Sequence, residues 1–231
     1  MHEHALEVID LGRSAYAEAY AEQHRHHADV LASRDAGGPL LGRILTVEHD
    51  PVITVTKKAR QAGHVLASPE LLDRTGIELH DTDRGGDVTY HGPGQLVVYP
   101  ILDLKRLKLG LHDHMRLMED AVIGALRSFG IEGHRDADAT GVWVGEPIEQ
   151  AAKVCAMGVR VRRWVTMHGL ALNVATDLSH FDHIVPCGLA GRPVTSIQKL
   201  TGRADLMEAR DAVISSLLER LGPLAAEIPA T

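Results

Sequence analysis

The sequence predicts an α+β fold, a mixed and largely antiparallel β-sheet flanked by helices. β-rich runs outnumber helical ones and lack regular strand–helix–strand alternation. Two long β-rich runs, 153–161 and 164–174, are separated only by Arg162-Arg163 and fit a hairpin. Leu111, Met115, Met118, Val122, Leu126 and Phe129 recur at three- and four-residue spacings before Gly130, which fits one amphipathic helix with a glycine stop. With 231 residues and 45% hydrophobic content the chain is long enough for a sizeable core. No linker, repeat or low-complexity tract divides it, so 1–231 is expected to be a single domain.

In chain order, 6–11 alternates as an edge strand should, and the Ala-rich stretch 14–33 is predicted to be a helix ending before Gly37-Gly38. The runs 41–47 and 52–56 flank His49-Asp50-Pro51 and are expected to form a hairpin. Ser68-Pro69 offers an N-cap followed by proline at the first helical position, starting a short helix through Leu72. The stretch 77–82 predicts a strand that delivers the chain into Arg84. Beyond the 111–129 helix, 141–144 predicts a short strand, 177–181 a helical turn, 184–191 an irregular loop, 194–200 a strand and 205–221 a closing helix.

Composition excludes several functions. A net charge of −7 argues against wholesale nucleic-acid binding, and no apolar run approaches the ~20 residues of a membrane span. Basic clusters survive at Lys57-Lys58-Arg60, Lys105-Arg106-Lys108 and Arg160-Arg162-Arg163; they are either solvated surface or a landing site for an acidic protein. Two cysteines, Cys155 and Cys187, fit a reducing compartment, and a cytoplasmic location is expected. His2, His4, His24, His26 and His27 bunch near the start without the cysteine or carboxylate pattern of a metal site, so no metal is expected.

RGGDVTYHGPGQLVVYP, 84–100, has the composition of a binding loop running into a strand. Gly85 and Gly86 allow close backbone approach to a ligand, and Gly92-Pro93-Gly94 forces a turn. Arg84 can fork onto an anion or a thioester oxygen, and His91 can donate, accept or carry a proton. A plain glycine-rich hairpin would use the same residues. Cys187, in IVPCGLAG, is a nucleophile candidate because no strand or helix periodicity demands a small buried residue there. Lys153 opens an otherwise apolar strand; it is either the cation that raises the thiolate fraction of Cys187 or a lysine reaching out to water. Ala156, Gly158, Gly169 and Ala171 would leave a slot for a narrow apolar chain if they share one sheet face. Lys153 has the opposite strand parity to Ala156 and Gly158, so a common site requires a bulge or backbone contacts.

These segments, with GVWV, KVCAMGVRVRRWVTMHGLALNV, FDHIVPCG and VTSI following in that order, resemble the octanoyltransferases of lipoate synthesis. The resemblance spans about 41–200 and implies the fold of biotin and lipoate protein ligase catalytic cores. It implies transfer of an octanoyl group from acyl carrier protein to a lysine on lipoyl domains of 2-oxoacid dehydrogenases and the glycine cleavage H protein. Cys187 would carry the acyl group as a thioester, and Lys153 would lower its pKa, in a ping-pong reaction with no cofactor, ATP or metal. The oxyanion would be steadied by backbone N–H groups in the Pro186 to Leu189 loop or near Gly158, and Lys153 or His91 would take the proton of the acceptor amine. Substrate contacts would fall on Arg84, Gly85, Gly86, Asp87, Val88, Thr89, Tyr90 and His91, on Ala156, Met157 and Gly158, and on Gly169, Leu170 and Ala171. Two features depart from the family pattern. Thr56-Lys57-Lys58 stands where a Gly-Arg pair is common, and Cys155 stands where a small non-thiol residue is expected, which raises an oxidative Cys155–Cys187 disulfide as a hypothesis. The competing readings are an ATP-dependent lipoate or biotin ligase, which needs no cysteine, and a non-catalytic acyl- or lipoyl-carrier binding module.

Overall fold

The computed structural model describes residues 5–147, 150–185 and 192–228. In chain order these form β1 (Leu6–Ser14), α1 (Tyr16–Asp35), β2 (Gly42–His49), β3 (Val52–Thr56), α2 (Lys57–Gln61), α3 (Pro69–Thr75), β4 (Glu78–Thr82), β5 (Val88–His91) and β6 (Gln95–Leu102). They continue with α4 (Leu111–Arg127), β7 (Gly133–His134), β8 (Val142–Val144), β9 (Ala152–Arg162), β10 (Val165–Asn173), a 3₁₀ turn (Leu178–His183), α5 (Ile197–Thr201) and α6 (Leu206–Ala226).

Seven strands form the main sheet in the order β1-β2-β6-β10-β9-β8-β7. β1 and β2 run parallel, and every other neighbouring pair in this sheet is antiparallel. A second sheet of order β4-β3-β5 has one parallel and one antiparallel pairing. The mixed, largely antiparallel sheet with flanking helices is therefore the observed fold. β9 and β10 make the expected hairpin, with its turn at Arg163-Trp164, where both residues have positive φ, rather than at Arg162-Arg163.

Three local expectations are corrected. The runs 41–47 and 52–56 do not pair: β2 lies between β1 and β6, whereas β3 lies between β4 and β5. The supposed turn residue His49 is fully buried, held by the Ser14 carbonyl at 3.1 Å and the Tyr99 hydroxyl at 2.7 Å, so it anchors the end of β2 while the chain crosses to the second sheet. The 84–100 segment likewise divides between sheets, β5 in the small one and β6 in the large one. Instead of a strand at 194–200, Val194 makes a single bridge to Lys153, and Ser196 caps α5 by accepting from Lys199 N at 3.2 Å. That serine in the N-cap position outweighed the β-rich composition.

Strand alternation gives the main sheet two different faces. Leu96, Val98, Leu170 and Leu172 pack with Met118, Val122 and Leu126 of α4 and Val213, Leu217 and Leu221 of α6. Val97, Tyr99 and Ala171 point the other way, toward Ala19 and Val30 of α1. The small sheet has a core of its own around Ile53, Val55, Val88, Tyr90, Phe181 and Ile184.

Candidate active site

A narrow cleft opens between the α1 face of the main sheet and the small sheet. Its floor follows from register: Gln95 pairs with Asn173, Val97 with Ala171, Ala171 with Ala156, and Gly169 with Gly158. Ala156 and Ala171 line the floor, and Tyr16, Val97, Tyr99 and His168 line the walls. The two glycines serve backbone contact. A Cβ on Gly158 would stand 2.5 Å from Gly85 O, and one on Gly169 would stand 2.3 Å from Val98 O. Gly158 thereby lets the Arg84 loop close onto β9, where Gly85 N donates to Val159 O at 2.9 Å.

The loop residues divide between the cleft and the core of the small sheet. Arg84, Gly86, Thr89 and His91 line the cleft, and Gly85 lines an adjoining groove with Met157, Gly158 and Val159. Val88 and Tyr90 point instead into the core of the small sheet, where the Tyr90 hydroxyl lies 2.7 Å from His180 Nδ1. Asp87 holds His64 at 2.8 Å and is not among the cleft-lining residues. Expected as a continuous contact surface, 84–91 is a bend at 84–87 followed by β5, and it gives the cleft only Arg84, Gly86, Thr89 and His91. Leu170 and Met157 also pack largely on the opposite, α4 face.

A bulge settles the parity problem of Lys153. β8 pairs Val142 with Cys155 and then Trp143 with Lys153, so Val154 is the extra residue on β9. Lys153 consequently shares a small cavity with Ala156, Ala171, Thr89, Gln95 and Asn173. It is 8% exposed; its Nζ donates to Thr140 O at 3.0 Å and lies 4.6 Å from the Trp143 ring centroid. Among the described residues no carboxylate lies within ion-pair distance of it. Its main chain is paired as well, since Lys153 N donates to Pro193 O at 2.9 Å and Thr195 N donates to Lys153 O at 3.0 Å.

Cys187 lies outside the described residues, together with Pro186, Gly188 and Leu189. The flanks of that segment are tied down: Val185 N donates to His64 O at 2.8 Å, and Val194 bridges to Lys153. Arg192 stacks 3.6 Å from the Trp143 ring centroid and pairs with Asp136 at 2.5 Å. Cys155 is fully buried in the main core, and burial pushes its thiol far up, which describes an unreactive small hydrophobe.

The imidazoles around the cleft are held neutral. His91 Nδ1 lies 2.7 Å from Gln95 Oε1, and Gln95 uses its amide nitrogen on Tyr90 O and Asn173 Oδ1. Nδ1 is therefore the donor, and Nε2 carries the lone pair. Burial, then the neighbouring His49, pushes His91 down to about 3. Burial pushes His49 and His168 down to about 4, although Asp83 lies 3.0 Å from His168 Nε2 and also pairs with Arg160. Tyr16, Val97, Tyr99, His168 and Thr140 are site residues that motif reasoning missed. The parity of Val97 and Tyr99 with Gln95 on β6 is the signal that was available.

A family model, the lipoyl protein ligase A/B catalytic domain, matches residues 15–218. The chain belongs to that family. An octanoyltransferase of Bacteroides fragilis is 42% identical over 207 residues, covering 89% of this chain and 93% of the relative. One of Solibacter usitatus is 48% identical over 198 residues, covering 86% and 84%. Within the family the chain is an acyltransferase. The fold is shared with the bipartite lipoate protein ligase of Thermoplasma acidophilum, at a TM-score of 0.67, 16% identity and 97% and 91% coverage. It is shared more distantly with the biotin protein ligase of Aquifex aeolicus, at a TM-score of 0.56, 16% identity and 96% and 72% coverage. Among the described residues no helix is long and apolar enough to cross a membrane, and no cluster of histidine, cysteine and acidic side chains is placed to hold a metal.

Proposed function

We propose that the chain, acting as one catalytic domain in the cytoplasm, moves an octanoyl group from octanoyl-acyl carrier protein to a lysine of lipoyl domains through a thioester on Cys187. Its acceptors would be the lipoyl domains of 2-oxoacid dehydrogenases and the glycine cleavage H protein. The observation that carries this reading is a buried ammonium, Lys153, at one end of an apolar cleft with no carboxylate partner among the described residues. A buried cation needs a compensating anion, and a thiolate at Cys187 would supply it.

In the first step the Cys187 thiolate attacks the thioester carbonyl. The bond to the phosphopantetheine sulfur breaks, and Lys153 gives its proton to the departing thiolate. In the second, the neutral acceptor amine attacks the Cys187 thioester and passes a proton to the now neutral Lys153, restoring the ammonium as the Cys187 thiolate leaves. His91, held down near 3, is too weak a base for that task at neutral pH and serves as a fixed acceptor toward the cleft. Arg84, Gly86, Thr89, Ala156 and Ala171 would contact the acyl group. The acidic carriers would dock on Lys57 and Lys58, exposed on α2, whereas Arg60 is already engaged by Asp81 at 2.8 Å.

The test is incubation with octanoyl-acyl carrier protein followed by intact mass and peptide mapping. A hydroxylamine-labile octanoyl adduct on Cys187, absent from Cys187→Ala and chased by a lipoyl domain, is the expected result. An adduct that persists in Cys187→Ala would overturn the assignment. So would amide formed from ATP and free octanoate alone, the outcome a ligase would give.

A further inference from the structure

The floor of the cleft is graduated by strand register. At the Lys153 end stand Gln95 and Asn173, next come Val97, Ala171 and Ala156, and then Tyr99, Gly169 and Gly158. From Asn173 to Gly169 is four residues of β10, about 13 Å at about 3.3 Å per residue. An all-trans carbon chain with bonds of about 1.5 Å near the tetrahedral angle advances about 1.25 Å per bond, so the seven carbon–carbon bonds of an octanoyl group cover about 9 Å. The remainder is close to the contact distance between a terminal methyl and a ring. At that level the cleft is lined by Tyr99, with Tyr16 also in its wall.

Both rings are held by their polar tips. The Tyr99 hydroxyl donates to His49 Nε2 at 2.7 Å, because His49 uses Nδ1–H on Ser14 O at 3.1 Å. The Tyr16 hydroxyl lies 3.0 Å from Thr82 Oγ1, and the Tyr16 ring stacks on His91 at 6.2 Å between centroids. Tyr99 is 3% exposed and Tyr16 is 2%. Swinging Tyr99 aside would strand the buried His49 Nε2 without a donor, a cost that keeps the wall in place.

We propose that Tyr99, backed by Tyr16, is the stop that sets acyl-chain length, so that each two-carbon extension, about 2.5 Å longer, meets the ring. This inference rests on the acyl-transfer reading above. The test offers the full-length enzyme an equimolar mixture of hexanoyl-, octanoyl-, decanoyl- and dodecanoyl-acyl carrier protein, and the acyl adducts are read by intact mass. Tyr99→Leu and Tyr16→Leu should each raise the decanoyl-to-octanoyl ratio about tenfold or more. Tyr99→Phe, which keeps the ring but loses its tether to His49, should raise that ratio less than Tyr99→Leu does, and Val97→Phe, which intrudes halfway along, should favour hexanoyl. Folded openers with an unchanged profile overturn the stop, as does Tyr99→Phe behaving like Tyr99→Leu. If both openers fail to fold, Val97→Phe decides, an unchanged profile counting against the proposal. A wild-type protein that takes no acyl group from any donor sinks the acyl-transfer reading and the stop with it. One that is acylated normally while its variants keep the same profile sinks the stop alone.

Discussion

The two faces of the main sheet are built from the same strands and do opposite work. Toward α4 and α6 the strands present Leu96, Val98, Leu170 and Leu172, and side chains fill the space between the layers. Toward α1 the same strands present Ala156, Gly158, Gly169 and Ala171, and the space left over is bounded by tyrosines and histidines whose polar tips are tied off. One face uses bulk to exclude water and hold the fold. The other uses missing bulk to make room, and a bulge at Val154 brings Lys153 round to that side.

Substitutions that respect this division should separate activity from stability. The largest effect is expected for Lys153→Met, which should slow adduct formation by about 10²–10⁴-fold, the span of a lost acid–base group, with little change in Tm. A Tm loss matching the rate loss would show Lys153 to be structural. On the packed face, Leu172→Ala should cost about 2–5 kcal/mol in denaturant unfolding while leaving the chain-length profile intact. Gly158→Ala straddles the two classes. Its added carbon meets Gly85 O, so it should cost about 1–3 kcal/mol and also displace the Arg84 loop, raising KM for the acyl donor.

The faces should also part company in acid. Unfolded imidazoles take up protons near pH 6.5, whereas native His49 and His168 wait until about 4 and His91 until about 3. Between those limits the unfolded chain binds more protons. Stability is therefore full above about pH 6.5 and falls as pH drops, by up to about 1.4 kcal/mol per pH unit for each histidine. On α4, His114 is pushed down to about 4 by burial alone, and neither ring nitrogen has a partner among the described residues. His114→Leu should raise stability at neutral pH by about 1 kcal/mol and take a share off the acid slope. An unchanged slope would place the acid sensitivity entirely on the cleft side.

What could be read from the sequence follows the range of the forces involved. The β9–β10 hairpin, α4 and α6 were legible because periodicity and caps are local: Asp205 caps α6 by accepting from Met207 N at 2.9 Å and Glu208 N at 3.1 Å. The split of β2 from β3, and of β5 from β6, was not, because strand partners are chosen across the chain and nothing near His49 or Gly92 names them. In the site, Lys153, Arg84, Ala156 and Ala171 stood out as motif residues, and the structure places Arg84 and Lys153 in adjoining cavities that share Ala156 and Ala171. Val88 and Tyr90 came along by adjacency, and their side chains pack in the core of the small sheet. Tyr16 arrives on α1, whose place against the site is set by long-range packing that its own sequence does not name.

The Gly85 N–H to Val159 O bond has a kinetic meaning. It is a backbone seam between the loop that enters the small sheet and an internal strand of the large one, and it sits beside Gly158, whose missing Cβ leaves room for Gly85 O. Whatever admits an acyl chain to the cleft by parting the sheets must open this seam first. Exchange of the Gly85 amide with deuterated solvent should therefore slow when the cleft is filled, if filling it holds this seam shut.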